Sequence, residues 1–224
     1  MKSGITQRDD TKVRLLEAAG EVFADHGYRS ATVREICKRA GTHVGAVNYH
    51  FRDKMGLYKA VIEYSYKVAA SKYPPDLGLD QNATAQEKLG ALIRSFLLSI
   101  LAEGFPAWHG KLMAHEIGDP GEALAHVAEN SIRPLYEYLS GVVRDLLRQE
   151  GMPEDQNEEA AFFVCMSIAG QCLYQYIGRH VMDVLRPASK DSFGIERLAE
   201  HITQFTLGGI QELARASGQG KRTA

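Results

Sequence analysis

The sequence predicts an all-α protein in two parts, a small N-terminal domain of three helices and a larger helical domain behind it. Three observations lead there. Apolar residues recur at spacings of three and four in one segment after another, with no alternating strand pattern of useful length between them. Two short helical segments flank Gly41, the arrangement of a helix-turn-helix. The charge is uneven, because a formal −2 over 224 residues conceals eleven Lys/Arg against seven Asp/Glu in residues 1–60, a +4 head on a −6 body. Such asymmetry points to a basic, polyanion-binding module joined to something else.

Taken in order, Leu15, Ala18, Ala19, Val22 and Phe23 form one stripe of a first helix, which Gly27 ends as a left-handed cap. Thr32-Val33-Arg34-Glu35 reads as a capping box, the Thr32 hydroxyl accepting from the amide of Glu35 while Glu35 reaches back. The short helix it opens buries Val33, Ile36 and Ala40 and stops at Gly41, and a third helix runs from Thr42 to His50. Arg52-Asp53-Lys54 starts a longer helix, 54–72, with Leu57, Val61, Tyr64 and Val68 on one side. The stretch YPPDLGLDQNAT, residues 73–84, cannot continue it, since two prolines and a glycine interrupt the ladder. Helical patterns follow near 85–103, 107–118, 122–150, 154–182 and 194–216, and Pro134 kinks or splits the third. Residues 160–178 carry no charge and approach a membrane-spanning length. Ser167, Gln171 and Gln175 nevertheless make a polar stripe, so the segment reads as a buried helix of a bundle.

In a helix-turn-helix the second helix enters the major groove. Thr42, His43, Ala46, Asn48 and Tyr49 are small or polar, as an outward, base-facing surface requires, and Gly45 with Ala46 allows a deep seat. Arg34, Arg52 and Lys54, with the amides that open the neighbouring helices, suit phosphates. Spacing alone fits equally a pair of packed short helices with no nucleic-acid role.

The residues themselves carry more. ATVREICKRAG followed by VGAVNYHFRDKMGLYKAV, with VRLLEAAGEVFADHGY upstream, resembles the DNA-binding domain of the TetR family of bacterial transcriptional regulators over residues 11–62. LMAHEIGDPGEAL, SIRPLYEYL and MSIAGQCLYQYI resemble the CecR-like branch of that family across residues 105–185. The resemblance implies a DNA-binding domain over residues 1–53 and a ligand-binding and dimerisation domain over residues 54–224. It further implies a repressor that binds a palindromic double-stranded operator as a homodimer and is released by a small apolar or drug-like effector. Carried over by position, Thr32 and Arg34 of the second helix and Thr42, His43, Val44, Gly45, Ala46, Asn48, Tyr49 and His50 of the third meet DNA, and Lys54 meets a phosphate. Three positions depart from the family pattern. Asn48 stands where many members have tyrosine, Thr42 where an aliphatic residue is usual, and His43 is unusual at a helix start.

In the larger part, Ile195, Leu198, Ile202, Phe205, Gly209 and Leu213 recur at 3-4-3-4-4, a seam for helix pairing, or else the core side of a helix packed on its own chain. With the resemblance, helices 154–182 and 194–216 of two subunits form a four-helix interface. An effector pocket is expected among helices 54–180, with Phe105, Trp108, Met113, Phe162, Met166 and Tyr174 as apolar walls and His109, His115, Gln171 and Gln175 as polar contacts.

Catalysis finds no support. His115-Glu116 begins a zinc-protease motif that Asp119 breaks, and Gly218-Gln219-Gly220-Lys221 lacks the spacing of a phosphate loop. Cys37, Cys165 and Cys172 form no C-x-x-C pair and read as reduced thiols of a cytoplasmic protein; no metal or cofactor is expected. The polar N-terminal residues predict neither signal peptide nor membrane anchor. An effector-independent architectural DNA-binding protein is the alternative, against which stands a helical body far larger than dimerisation needs.

Overall fold

The protein is described by a computed structural model covering residues 3–102, 108–118, 121, 123–185 and 194–220. Among these residues all the regular structure is helical, with no strand. The elements are α1 (Ser3–Ser30), α2 (Val33–Arg39), α3 (Val44–Phe51), α4 (Lys54–Lys72), α5 (Ala85–Leu101), α6 (Trp108–Gly118) and α7 (Leu124–Val127). A π turn (Ala128–Ile132) leads into α8 (Arg133–Gln149), followed by α9 (Glu154–Ile177), α10 (Arg179–Leu185) and α11 (Ile195–Gly220).

Local chemistry explains most boundaries. Gly27, at φ 71°, breaks α1 near its end. Ala40, Gly41 and Thr42 close α2 in a Schellman turn, the Thr42 amide donating to the Cys37 carbonyl at 2.9 Å and the Gly41 amide to that of Lys38 at 3.3 Å, with Gly41 at φ 63°. Thr42 therefore belongs to the turn, and α3 begins two residues later than its sequence suggests. The same device ends α8, where Gly151 takes φ 84° and the Met152 amide donates to Leu147. At α5 the capping box is complete, Thr84 accepting from the Glu87 amide while Glu87 accepts from the Thr84 amide at 2.7 Å. At α2 the Thr32 hydroxyl accepts from the Glu35 amide at 3.2 Å. Pro134 lies in the first turn of α8, where a missing N–H costs least, and the chain ahead of it widens into the π turn. Gly178 divides the 154–182 pattern into α9 and α10.

The chain forms two compact units. The first gathers α1 to α3, α4 as far as Ser71, α6, α7 and the π turn. Its core is built from Leu15, Val22, Phe23, Ile36, Val47, Leu57 and Ile62 together with Trp108 and Leu112 of α6. The second gathers α5 and α8 to α11 around Leu92, Leu97, Val143, Leu147, Ile168 and Ile202. The first unit thus takes in an inserted stretch, 103–132, that a division at residue 53 assigns elsewhere.

In the second unit α9 is not buried all round, as the uncharged run suggested. Ala161, Val164, Cys165, Ile168 and Cys172 face the core, while Phe162, Phe163, Met166, Tyr174 and Ile177 are exposed. α9 is long and apolar enough to cross a membrane by length and composition, a test that core helices also pass. Its polar stripe is satisfied internally: Ser167, Gln171 and Gln175 each donate to the carbonyl four residues back.

Candidate nucleic-acid interface

α3 presents two faces. Val47 and Phe51 anchor it in the first unit's core, whereas Val44, Gly45, Asn48 and Tyr49 are exposed, Tyr49 at 64 %. These four fall at i, i+1, i+4 and i+5, a stripe a groove can receive. Ala46 is a correction to the outward set, since at 7 % exposure it packs inward beside Val47. His50 is half-buried, its ring edge-on to Tyr49 at 4.9 Å. His43 takes the N-cap position with extended backbone and makes no side-chain cap, and a Cβ on Gly45 would stand 3.0 Å from its Nδ1. The glycine therefore leaves the imidazole room at the head of α3.

Thr32 and Arg34 are exposed at the start of α2. Arg14 donates to the Ala40 carbonyl at 3.3 Å and Arg39 pairs with Glu21 at 3.1 Å, tying α2 to α1. Lys54 is more enclosed than a free phosphate ligand: its Nζ donates to the Arg29 carbonyl at 3.2 Å and stands 4.6 Å over the Tyr28 ring, and burial lowers its pKa. Asp53 caps α4 by accepting from the Gly56 amide at 2.7 Å. That Asp-x-x-Gly spacing is a readable N-cap signal which sequence reasoning passed over.

The proposed pocket residues divide between the units. Trp108, His109 and Met113 are buried in the first unit's core. The Trp108 indole lies so close to α1 that a Cβ on Gly20 would meet it at 2.4 Å, and its Nε1 donates to Glu17 at 3.4 Å. Burial lowers the His109 imidazole to about 4. Phe162, Met166, Gln171 and Tyr174 lie on α9 in the second unit, all of them exposed or half-buried. Phe105 lies outside the described residues. Sequence reasoning also missed a polar cluster in the first unit: the Tyr58 hydroxyl donates to Glu116, Tyr64 donates to Glu17 at 2.6 Å, and His126 meets Glu63. No local pattern announces these pairs, because the partners lie 47 to 63 residues apart.

The expected seam on α11 needs one correction. Ile202 is 1 % exposed and sits in the second unit's core, and Ile195 and Leu198 pack against that core. Phe205, Gly209 and Leu213 face outward. A 3.5-residue repeat drifts around a straight helix of 3.6 residues per turn, so the one spacing joins two neighbouring faces.

Among the described residues no group of His, Cys, Asp and Glu is arranged to hold a metal. Burial raises the thiols of Cys165 and Cys172 to about 11 and about 12, which suits core packing and not nucleophilic chemistry.

Comparison with known proteins agrees with this geometry. Residues 15–61 match the model of the bacterial regulatory proteins of the tetR family, and residues 85–210 match the C-terminal domain of the HTH-type transcriptional dual regulator CecR. The chain belongs to the TetR family of transcriptional regulators, in the branch with a CecR-type C-terminal domain. It is 33 % identical over 169 residues to the HTH-type transcriptional regulator SrpR of Pseudomonas putida, covering 75 % of this chain and 76 % of that protein. It is 27 % identical over 143 residues to the dual regulator CecR of Shigella flexneri, covering 60 % of this chain and 64 % of that protein. In fold it is similar to the regulator FadR from Bacillus subtilis, solved in complex with stearoyl-CoA, with a TM-score of 0.66 and 17 % identity over 88 % of this chain and 98 % of that one. It is a DNA-binding transcriptional regulator and not an enzyme.

Proposed function

We propose that the protein is a cytoplasmic repressor that binds a palindromic operator as a homodimer and leaves it when a small effector binds. The observation that carries the reading is α3 itself: a Schellman turn hands the chain to a helix anchored by Val47 and Phe51, with Val44, Gly45, Asn48 and Tyr49 exposed along one stripe. Asn48 is suited to adenine, Tyr49 and Arg34 to phosphates, and Val44 to a thymine methyl group. Thr32, Thr42, His43 and His50 flank that surface. Lys54 joins it by holding the Arg29 segment in place as well as by its charge.

One module makes few base contacts, so useful affinity requires two on one face of the duplex. Family members bind DNA as dimers. The exposed apolar residues Phe162, Met166 and Tyr174 of α9 and Phe205 and Leu213 of α11 support those two helices as the seam, with Gly209 permitting close approach. Effector release is a population shift, limited by the effector's preference for the conformer whose recognition helices are wrongly spaced. The FadR neighbour, in complex with stearoyl-CoA, supports a helical body of this fold as a ligand receptor.

A gel-shift with the DNA upstream of the protein's own gene tests the reading. A discrete complex that resists excess competitor at moderate salt is expected. Equal affinity for operator and competitor would leave the architectural alternative in possession.

A further inference from the structure

We propose that Glu116, with Tyr58 and Tyr66, receives the protonated nitrogen of an organic cation, the polar end of the effector. This rests on the reading of the chain as a ligand-released regulator and adds the chemical class of the ligand. All three residues belong to the first compact unit, on α4 and α6.

Glu116 is 5 % exposed. One carboxyl oxygen, Oε1, accepts from the Tyr58 hydroxyl, and the other, Oε2, is buried with no partner. A buried carboxyl oxygen of this kind is one donor short, and an orphaned buried polar atom in a native fold marks a place where something else is accommodated. Among the described residues no Lys or Arg pairs with Glu116. The nearby imidazole, His109, whose ring lies 5.8 Å from that of Tyr66, is held neutral by burial. Among the described residues, no cation of the protein's own thus answers the carboxyl.

The surroundings select the missing partner. The Tyr58 ring sits in an aromatic group with Phe23 at 4.8 Å and Tyr28 at 4.9 Å, and burial first and the charge of Glu116 second hold the Tyr66 hydroxyl above its usual range. Aromatic faces and a carboxylate both attract a positive charge, and in an apolar site a charged N–H donor answers the second oxygen better than a neutral one. The same carboxyl repels fatty-acid and acyl-CoA head groups. Gly121 is exposed, and a Cβ there would stand 4.0 Å from Glu116 Oε1, so the Tyr58-bonded edge of the carboxyl lies close to the surface.

Trp108, the protein's single tryptophan, lies on α6 with Glu116 and reports binding by its fluorescence. The full-length protein is titrated with benzamidine, with benzamide as neutral isostere and with stearoyl-CoA as anion, and operator binding is followed in parallel. Saturable quenching by benzamidine and none by benzamide is expected. Glu116→Gln, which keeps an acceptor for Tyr58, is expected to weaken benzamidine about thirtyfold. Gly121→Leu, which covers the carboxyl, is expected to weaken it too without lowering the urea midpoint. Absence of benzamidine binding, equal binding of benzamide, or an unchanged affinity in Glu116→Gln overturns the proposal. Benzamidine bound through Glu116 with operator affinity unchanged upholds the cation site and refutes ligand release at this site. Release by stearoyl-CoA alike in wild type and Glu116→Gln upholds ligand release and refutes the cation assignment.

Discussion

A Cβ on Gly56 would stand 2.0 Å from the Phe51 carbonyl oxygen, while the Gly56 amide donates to Asp53, so the junction of α3 and α4 closes only around a glycine. Because the obstacle is backbone and not the end of a flexible side chain, it cannot swing aside. Gly56→Ala is therefore expected to destabilise by about 1–3 kcal/mol in urea unfolding, with operator affinity lost alongside as α3 shifts. Gly141→Ala, inside α8 with open space around it, should instead stabilise the fold by up to about 1 kcal/mol. Equal effects at the two positions would refute the steric argument. His109 makes a second prediction at this scale. Burial holds it at about 4 in the folded chain against 6.5 when free, so the folded state binds fewer protons. Its contribution is intact above pH 6.5 and is lost as pH falls from there towards 4, by roughly 3 kcal/mol at most. Urea midpoints of wild type and His109→Gln, compared between pH 7 and pH 4.5, check this: the wild type should lose markedly more stability than the variant, and parallel losses would contradict it.

At the scale of elements, the helices were legible wherever local chemistry announces them. Gly41 and Gly151 carry positive φ at helix ends, Thr32 and Thr84 cap, and residues 73–84 break the ladder. What was not legible is which face of a helix finds a partner. Ile202 and Phe205 are both apolar and three apart, yet one is buried in its own core and the other is 64 % exposed. Spacing cannot separate them, since the decision belongs to α5 and α9 across the core. The distinction is testable. Phe205→Arg is expected to convert the proposed dimer to monomer in light scattering with an unchanged urea midpoint, whereas Ile202→Arg unfolds the chain by burying an unpaired charge. A Phe205→Arg protein that stays dimeric would remove α11 from the seam.

At the scale of the whole molecule, the 73–84 break falls just after the passage from the first compact unit to the second at residues 71 and 72, but the connectivity of the units was not legible. Residues 103–132 show helical periodicity like that of their neighbours, and nothing local says that α6 and α7 join the unit of α1 to α4. That membership rests on distant pairs such as Lys111 with Asp25 at 2.8 Å and Trp108 over Gly20, which only the folded chain brings together. The near-neutral total charge likewise averages a basic head and an acidic body, and the head is where α3 stands. The proposed function requires two copies of α3 to read one operator together. Hydroxyl-radical footprinting of the protein on its upstream DNA tests this most directly. Two protected patches related by a two-fold axis are expected, their centres about 10–10.5 base pairs or a multiple of that apart. A single unpaired patch, or protection spreading evenly with protein concentration, would contradict it.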